Sequence, residues 1–264
     1  MNKFLKNTVL NIFSIKNIHL TKRTGNNELK SLMNKLKPIS CGKELIRLGP
    51  EGDGGYLIPN DLVGIKACFS PGVDLISGFE IDCANMGMNV FLADKSVVEP
   101  PESHELFQFT KKYLGVTTSD DFMTLDDWVA SSIGKSQDEL LLQIDIEGSE
   151  YEVFLGVSDQ LLKRFRIIVI EFHQLDQLWN KPYFELISRV FDKLLQTHSC
   201  VHNHPNNCCG SIKSGEIEIP SVTELTFLRN DRVNNSSFVN TFPHPLDRDN
   251  TGNPPLNLPK CWYK

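Results

Sequence analysis

Apolar residues in this chain fall into short unbroken runs and into longer stretches with a helical period. The clearest runs are Leu140, Leu141, Leu142 and Ile144 within LLLQIDI, and RIIVIEF at residues 166–172. Runs of this length predict strands buried on both faces of a sheet. Further strands are predicted at residues 66–70, 89–94, 107–116, 200–202 and 222–228, the two late ones separated by a polar loop. Helices are predicted at residues 28–37, where Pro38 ends the pattern, at 77–86 and at 125–132. Another covers 181–197, with Pro182 in the first turn, where its missing N–H costs nothing. Gly148, followed by Ser149, Glu150 and Glu152, predicts a helix entry directly behind the first apolar run. Strand alternating with helix predicts an α/β fold, a mostly parallel sheet with helices on both faces. Residues 1–40 read as an N-terminal helical extension, 41–235 as the principal domain and 236–264 as a tail. The five prolines from Phe242 onward predict irregular structure there.

Composition narrows the partners. A chain of 264 residues can bury one sizeable core. Its 27 basic and 33 acidic residues, net −6, offer no basic track for a phosphate backbone, so nucleic acid is not an expected partner. Seven cysteines, with Cys208 and Cys209 adjacent, read as reduced thiols of a cytoplasmic protein rather than a disulfide framework. No stretch is long and apolar enough to span a bilayer. The first twenty residues mix lysine with apolar side chains, which suits an amphipathic helix touching a membrane surface or a partner. Asn7, Asn11, Ser14 and Asn17 interrupt them and no clean cleavage site follows, which argues against a signal peptide and for a helix packed on the domain.

Candidate chemistry gathers where strands are predicted to stop. Asp145 closes the most apolar strand, and in open α/β sheets ligands bind beyond the carboxyl ends of strands. A solvated acidic helix start accounts for Glu147 and Glu150 but less easily for Asp145. Glu171 and His173 end the next strand, on one side with Phe172 opposite, so they are expected beside Asp145. A histidine with two acids suits a general base or a hard cation. RLGPEGDGGYLIP concentrates glycine around Asp53, as a tight turn or a loop approaching a ligand does. In FSPGVDLISGFEID, Gly72 allows close backbone approach and the following helix can present N–H groups to an anion. This is not a GxGxxG fingerprint. Asp94, roughly 20 residues further on, is placed to accept hydrogen bonds from both hydroxyls of a ribose. In CVHNHPNNCC, His202, His204, Cys208 and Cys209 raise zinc, though vicinal cysteines and the absence of CxxC count against it. A polar wall offering His202, His204, Asn206 and Asn207 to a hydroxylated substrate is favoured.

DIEGSEYEVF, the preceding LDDW at residues 125–128 and IVIEFH together resemble the FkbM-type family of S-adenosylmethionine-dependent methyltransferases. GDGGYLIP, FSPGVDLISGFE, VFLADKS and HNHPNN extend the resemblance over approximately residues 47–230, and SPGVD departs from the repeated glycines of most relatives. The resemblance implies a class I methyltransferase (Rossmann-like) fold, a seven-stranded mostly parallel sheet with a final antiparallel strand, and O-methylation, often of a sugar hydroxyl in a small-molecule or glycan acceptor. Carried onto this sequence, Gly72 and its loop would hold the cofactor's methionine part, Asp94 its ribose and Asp145 the edge of the methyl-transfer pocket. Asp53, Ser70 and Glu80 complete the candidate cofactor contacts. The acceptor's proton would go to His173, assisted by Asp145 or Glu171, or a divalent cation, Mg or Mn, held by Asp145, Glu171 and His173 would acidify the hydroxyl. The direct base is slightly favoured, because the cation route needs ligands to converge from separate loops. A non-catalytic nucleoside-binding module and a nicotinamide-dependent oxidoreductase are the alternatives, and the missing GxGxxG counts against the second.

Overall fold

The computed structural model describes residues 20–134 and 136–264. Its two most apolar strands, β8 (Glu139–Ile144) and β9 (Phe165–Phe172), pair in parallel at the centre of the sheet. Beside β8 lie β3 (Ile65–Pro71), β4 (Asn89–Ala93) and β5 (Phe107–Thr110), all parallel. On the other side β13 (Thr223–Arg229) runs antiparallel to β9, and β10 (His198–Pro205) runs antiparallel to β13. The order is therefore β10-β13-β9-β8-β3-β4-β5 with β13 alone reversed, the class I methyltransferase arrangement. Strand order reverses between β3 and β8, and a crevice opens beyond their carboxyl ends at such a switch point.

Period-two alternation divides the sheet's side chains between two cores. Phe69, Leu140, Leu142, Ile168 and Ile170 pack on one face, with α1 (Asn26–Lys35), α3 (Leu125–Ile133), α4 (Glu150–Gly156) and α6 (Lys181–Leu194) supplying Leu32, Trp128, Phe154 and Phe191. Cys68, Leu141, Ile167 and Val169 pack on the other. There α2 (Gly78–Asn85) contributes Phe79 and Cys83, and the hairpin β1 (Leu45–Leu48) with β2 (Tyr56–Pro59) contributes Tyr56 and Ile58. Each fully buried large apolar side chain contributes about 1.5–3 kcal/mol. That stability leaves the polar residues at the carboxyl edge free to serve chemistry.

Several elements differ from the sequence reading. The strand expected over residues 107–116 ends at Thr110, turns at Lys111 and Lys112, and resumes as β6 (Tyr113–Leu114) beside β7 (Phe122–Met123). β10 runs to Pro205, because its polar residues are buried and paired, Asn203 with Thr223 and His202 and His204 with the tail, instead of ending the strand. The glycine-rich stretch around Asp53 is the turn of the β1–β2 hairpin, and the late polar loop folds as the hairpin β11 (Ser211–Ser214) and β12 (Ile217–Pro220). A short helix, α5 (Asp159–Leu162), precedes β9. The tail is irregular, as expected, but anchored: Ile39 bridges Phe238, and Trp262 is buried with its indole N–H donating to the Glu218 carbonyl at 2.9 Å. The amphipathic helix expected in the first twenty residues lies almost wholly outside the described residues. Among those described, no helix is long and apolar enough to cross a membrane.

Candidate active site

Gly72 directly follows β3, and its amide donates to the Ala93 carbonyl at 3.0 Å. Its φ is +93°, and a Cβ there would lie 1.6 Å from the Asp145 carbonyl oxygen. Only glycine allows this crossing of two strand ends. Around the crossing, three connected lobes share Gly72 and Asp145.

The first lobe, about 460 Å³, is within the size range of small-molecule sites. Leu114, Phe122 and Ile146 give it apolar walls, and Asp94 stands at its edge. Asp94 follows β4 and already orders the loop: one carboxylate oxygen accepts from the Val73 amide at 3.0 Å, the other from the Ser96 amide and hydroxyl, both at 2.6 Å. A carboxylate offers about four acceptor positions, and with three taken about one remains for a ribose hydroxyl.

The second lobe, about 230 Å³, is lined by Asp53, Tyr56, Glu80 and Gln143. Ser70 is completely buried behind it. Its hydroxyl contacts Glu80 and lies 2.5 Å from the Gln143 carbonyl oxygen, while the Gln143 amide donates to the Tyr56 hydroxyl at 3.2 Å. One hydroxyl proton cannot serve two acceptors, so Glu80 supplies the second; burial raises its pKa in the direction this needs. Ser70 therefore supports Glu80 and Gln143 from behind instead of touching a ligand. Asp53, by contrast, is exposed on the hairpin turn, where it accepts from the Asn250 amide at 3.1 Å.

The third lobe, about 500 Å³, holds Glu171, His173 and Asn206. As expected from alternation, Phe172 points into the core while Glu171 and His173 meet Asp145. His173 Nδ1 donates to Glu150 Oε1 at 3.1 Å. That oxygen also accepts from the amides of Ile146 at 3.1 Å and Gly148 at 3.0 Å, and the Glu150 side chain has no solvent exposure. So Glu150 is not the solvated helix-start acid the sequence suggested: it fixes the imidazole. His173 Nε2 faces Glu147, Glu171 and Asp145 at 3.4, 3.7 and 3.8 Å. Asp145 Oδ1, Glu150 Oε2 and Glu171 Oε2 are buried without hydrogen-bond partners. Burial, opposed by His173, pushes Asp145 up to about 7. Burial and the Asp145 charge push Glu171 well above the carboxylate range. Burial alone would lower His173, but its hydrogen bond to Glu150 and the surrounding acids raise it. Glu147 and Gln174 flank the group, both at φ +57°, a left-handed conformation uncommon outside glycine that clusters at functional sites.

The predicted acceptor wall is largely a clasp. His202 Nε2 donates to Asp247 Oδ1 at 2.8 Å, and His204 Nε2 donates to the Arg248 carbonyl at 2.8 Å. The Asn207 amide donates to the carbonyls of Thr251 and Asn253 at 3.1 and 2.9 Å. These three residues therefore hold the tail, His202 and His204 from β10, which continues past His202, and Asn207 from the turn that follows it. Asn206 alone reaches the lobe, donating to Glu171 Oε1 at 3.0 Å. Cys208 and Cys209 stand exposed at the rim with Thr251 of the tail, and all seven cysteines are free. The sequence reading missed Glu150, Tyr56, Gln143 and Asp247. The one available signal was Glu150 opening a helix directly behind the glycine turn at Gly148.

Residues 60–200, more than half of the chain, match the family model described as Methyltransferase FkbM domain. The chain belongs to that family. The matched span of this methyltransferase domain contains Gly72, Asp94, Asp145, Glu150, Glu171 and His173, and ends before Asn206 and the clasped tail. No curated protein matches the sequence. Among solved structures, the chain is similar to a 16S rRNA (adenine(1408)-N(1))-methyltransferase from Catenulisporales acidiphilia, at 11% identity over 70% of this chain and 98% of that one, TM-score 0.31. It is also similar to the 1,6-didemethyltoxoflavin-N1-methyltransferase of Burkholderia thailandensis, at 12% identity over 63% and 72%, TM-score 0.31. Both likenesses are loose.

Proposed function

We propose that this domain transfers a methyl group from S-adenosylmethionine to a hydroxyl of a sugar or glycan precursor. The observation that carries the reading is the meeting of three lobes at Gly72 and Asp145, with an acid and apolar walls on one side and a buried histidine–carboxylate group on the other. The residues fit the donor. Asp94 suits a ribose, Leu114 and Phe122 suit an adenine, and the acids Asp53 and Glu80 with Tyr56 suit the polar methionine end, whose ammonium is positive. Bound there, the donor would supply an electrophilic methyl group on sulfur.

The protein's own work is then alignment, exclusion of water and removal of the acceptor's proton. The cleft supports each. Gly72 keeps the wall between donor and acceptor lobes to bare backbone, and Asp145, Glu147, Glu171 and His173 gather where the acceptor's proton would be removed. Asn206 fixes Glu171, and Thr251 on the clasped tail adds a polar rim. A rim of such groups can hydrogen-bond sugar hydroxyls, and the net charge of −6 disfavours a long polyanion such as nucleic acid.

The test is incubation with methyl-labelled donor and separate pools of glycans, nucleotide-linked sugars, RNA and protein. Label should appear in the glycan or nucleotide-sugar pool, released by acid hydrolysis as an O-methyl sugar. Label mainly in RNA or protein would overturn the acceptor assignment and leave the methyltransferase assignment standing.

A further inference from the structure

The acceptor lobe gathers more carboxyl groups than a general base needs. Asp145, Glu147, Glu150 and Glu171 surround one imidazole, and only Glu150 receives its proton. Glu150 takes three N–H donors on a single oxygen, which locks the Nδ1–H tautomer and leaves Nε2 aimed at the other acids. A buried carboxylate beyond the coordinating nitrogen is the usual support of a metal-binding histidine. One ligand-type atom each from Asp145, Glu171 and His173 falls within 4.8 Å of the others. The second observation is the state of the two acids. The Glu171 side chain is 5% exposed, and its Oε2 and the Asp145 Oδ1 have no partner. Leaving such oxygens unpaired costs free energy that a cation would recover.

We infer that Asp145, Glu171 and His173 bind a divalent cation whose remaining positions open into the acceptor lobe. One imidazole with two carboxylates suits Mn²⁺ better than the all-oxygen preference of Mg²⁺ or Ca²⁺. Asn206 holds Glu171 as Glu150 holds His173, so two of the three ligands are oriented from behind. The inference rests on the proposed methyl transfer only for the cation's use. An acceptor hydroxyl coordinated there loses its proton more readily. The proton passes to the exposed Glu147 carboxylate and on to water; the oxygen lone pair forms the O–CH₃ bond as the donor's C–S bond breaks, its electron pair staying on sulfur. The sequence reading favours His173 as the direct base; the tautomer serves either role, and the orphaned oxygens of Asp145 and Glu171 favour the cation.

The test is calorimetric titration of the metal-stripped protein with Mn²⁺, alongside titration with S-adenosylhomocysteine. One saturable Mn²⁺ site is expected. Glu171→Gln, which lies on the acceptor side of the cleft, should weaken Mn²⁺ by at least about tenfold and leave S-adenosylhomocysteine affinity unchanged. Pulsed EPR of Mn²⁺ on the unaltered protein should show a directly coordinated nitrogen, which keeps the test independent of how the variant folds. No saturable Mn²⁺ binding, equal binding by the folded variant, or bound Mn²⁺ without a nitrogen ligand would overturn the proposal. Mn²⁺ binding with the nitrogen signal but no S-adenosylhomocysteine binding would support the site and count against the donor assignment instead.

Discussion

Two residues at the strand ends separate structure from function. Gly72 sits at φ +93°, with the Asp145 carbonyl where a Cβ would go. Gly72→Ala is therefore expected to destabilise the domain by several kcal/mol, because both the conformation and the contact forbid it. Denaturant unfolding checks this, and a loss under about 1 kcal/mol would show that the strand ends can part. Asp94 makes the contrasting case, since it lies at a half-exposed loop and orders Val73 and Ser96 rather than the core. Asp94→Ala should leave the fold intact and weaken S-adenosylhomocysteine at least about tenfold, as loss of a charge-assisted bond of about 1.5–3 kcal/mol requires. Unchanged affinity in the folded variant would remove Asp94 from the donor site. Asp94, Asp145, Glu171 and His173 were legible in the sequence because each ends an apolar strand. Glu150 was not, because a glutamate opening a helix reads the same whether it turns to solvent or back under the strand ends.

Among the elements, the apolar strands were legible and the polar ones were not. β8 and β9 announce themselves as unbroken runs, whereas β10 carries buried polar positions, two of which, His202 and His204, find partners only in the tail some 45 positions later in the chain. Local pattern cannot show a partner that distant. The clasp between β10 and the tail also has a pH signature. Burial would lower the His204 pKa and raise that of Asp247, but Asp247 and Glu224 raise His204 from 6.5 to about 9, and His202 with His204 holds Asp247 well below its ordinary value. A raised histidine stabilises fully below 6.5 and loses that contribution as pH rises through 9. A depressed aspartate stabilises above 3.8 and loses it as pH falls. The tail should therefore resist proteolysis best between about pH 4 and 6.5 and become more susceptible as pH passes 9. Asp247→Asn should abolish that profile. A tail cleaved at equal rates from pH 6 to 10, with cleavage corrected for the protease's own pH response, would contradict the clasp.

For the whole molecule, the family span covers the point where the lobes meet but not the whole of either side. The span matching the family includes β3, β4, β8 and β9, and so Gly72, Asp94, Asp145, Glu171 and His173. Asn206, the exposed cysteines and Thr251, which finish the acceptor lobe, lie beyond it. The family span thus carries residues from both sides of the cleft, while Asp53 and Tyr56 on the proposed donor side and the rim of the proposed acceptor lobe lie outside it. The central claim, that the crevice at the β3–β8 switch point is a methyl-donor site, is tested most directly by calorimetric titration of the purified protein with S-adenosylhomocysteine and, separately, with NAD. One saturable S-adenosylhomocysteine site and no NAD binding is the predicted result; NAD binding in its place, or no nucleoside binding by the folded protein, would contradict the account.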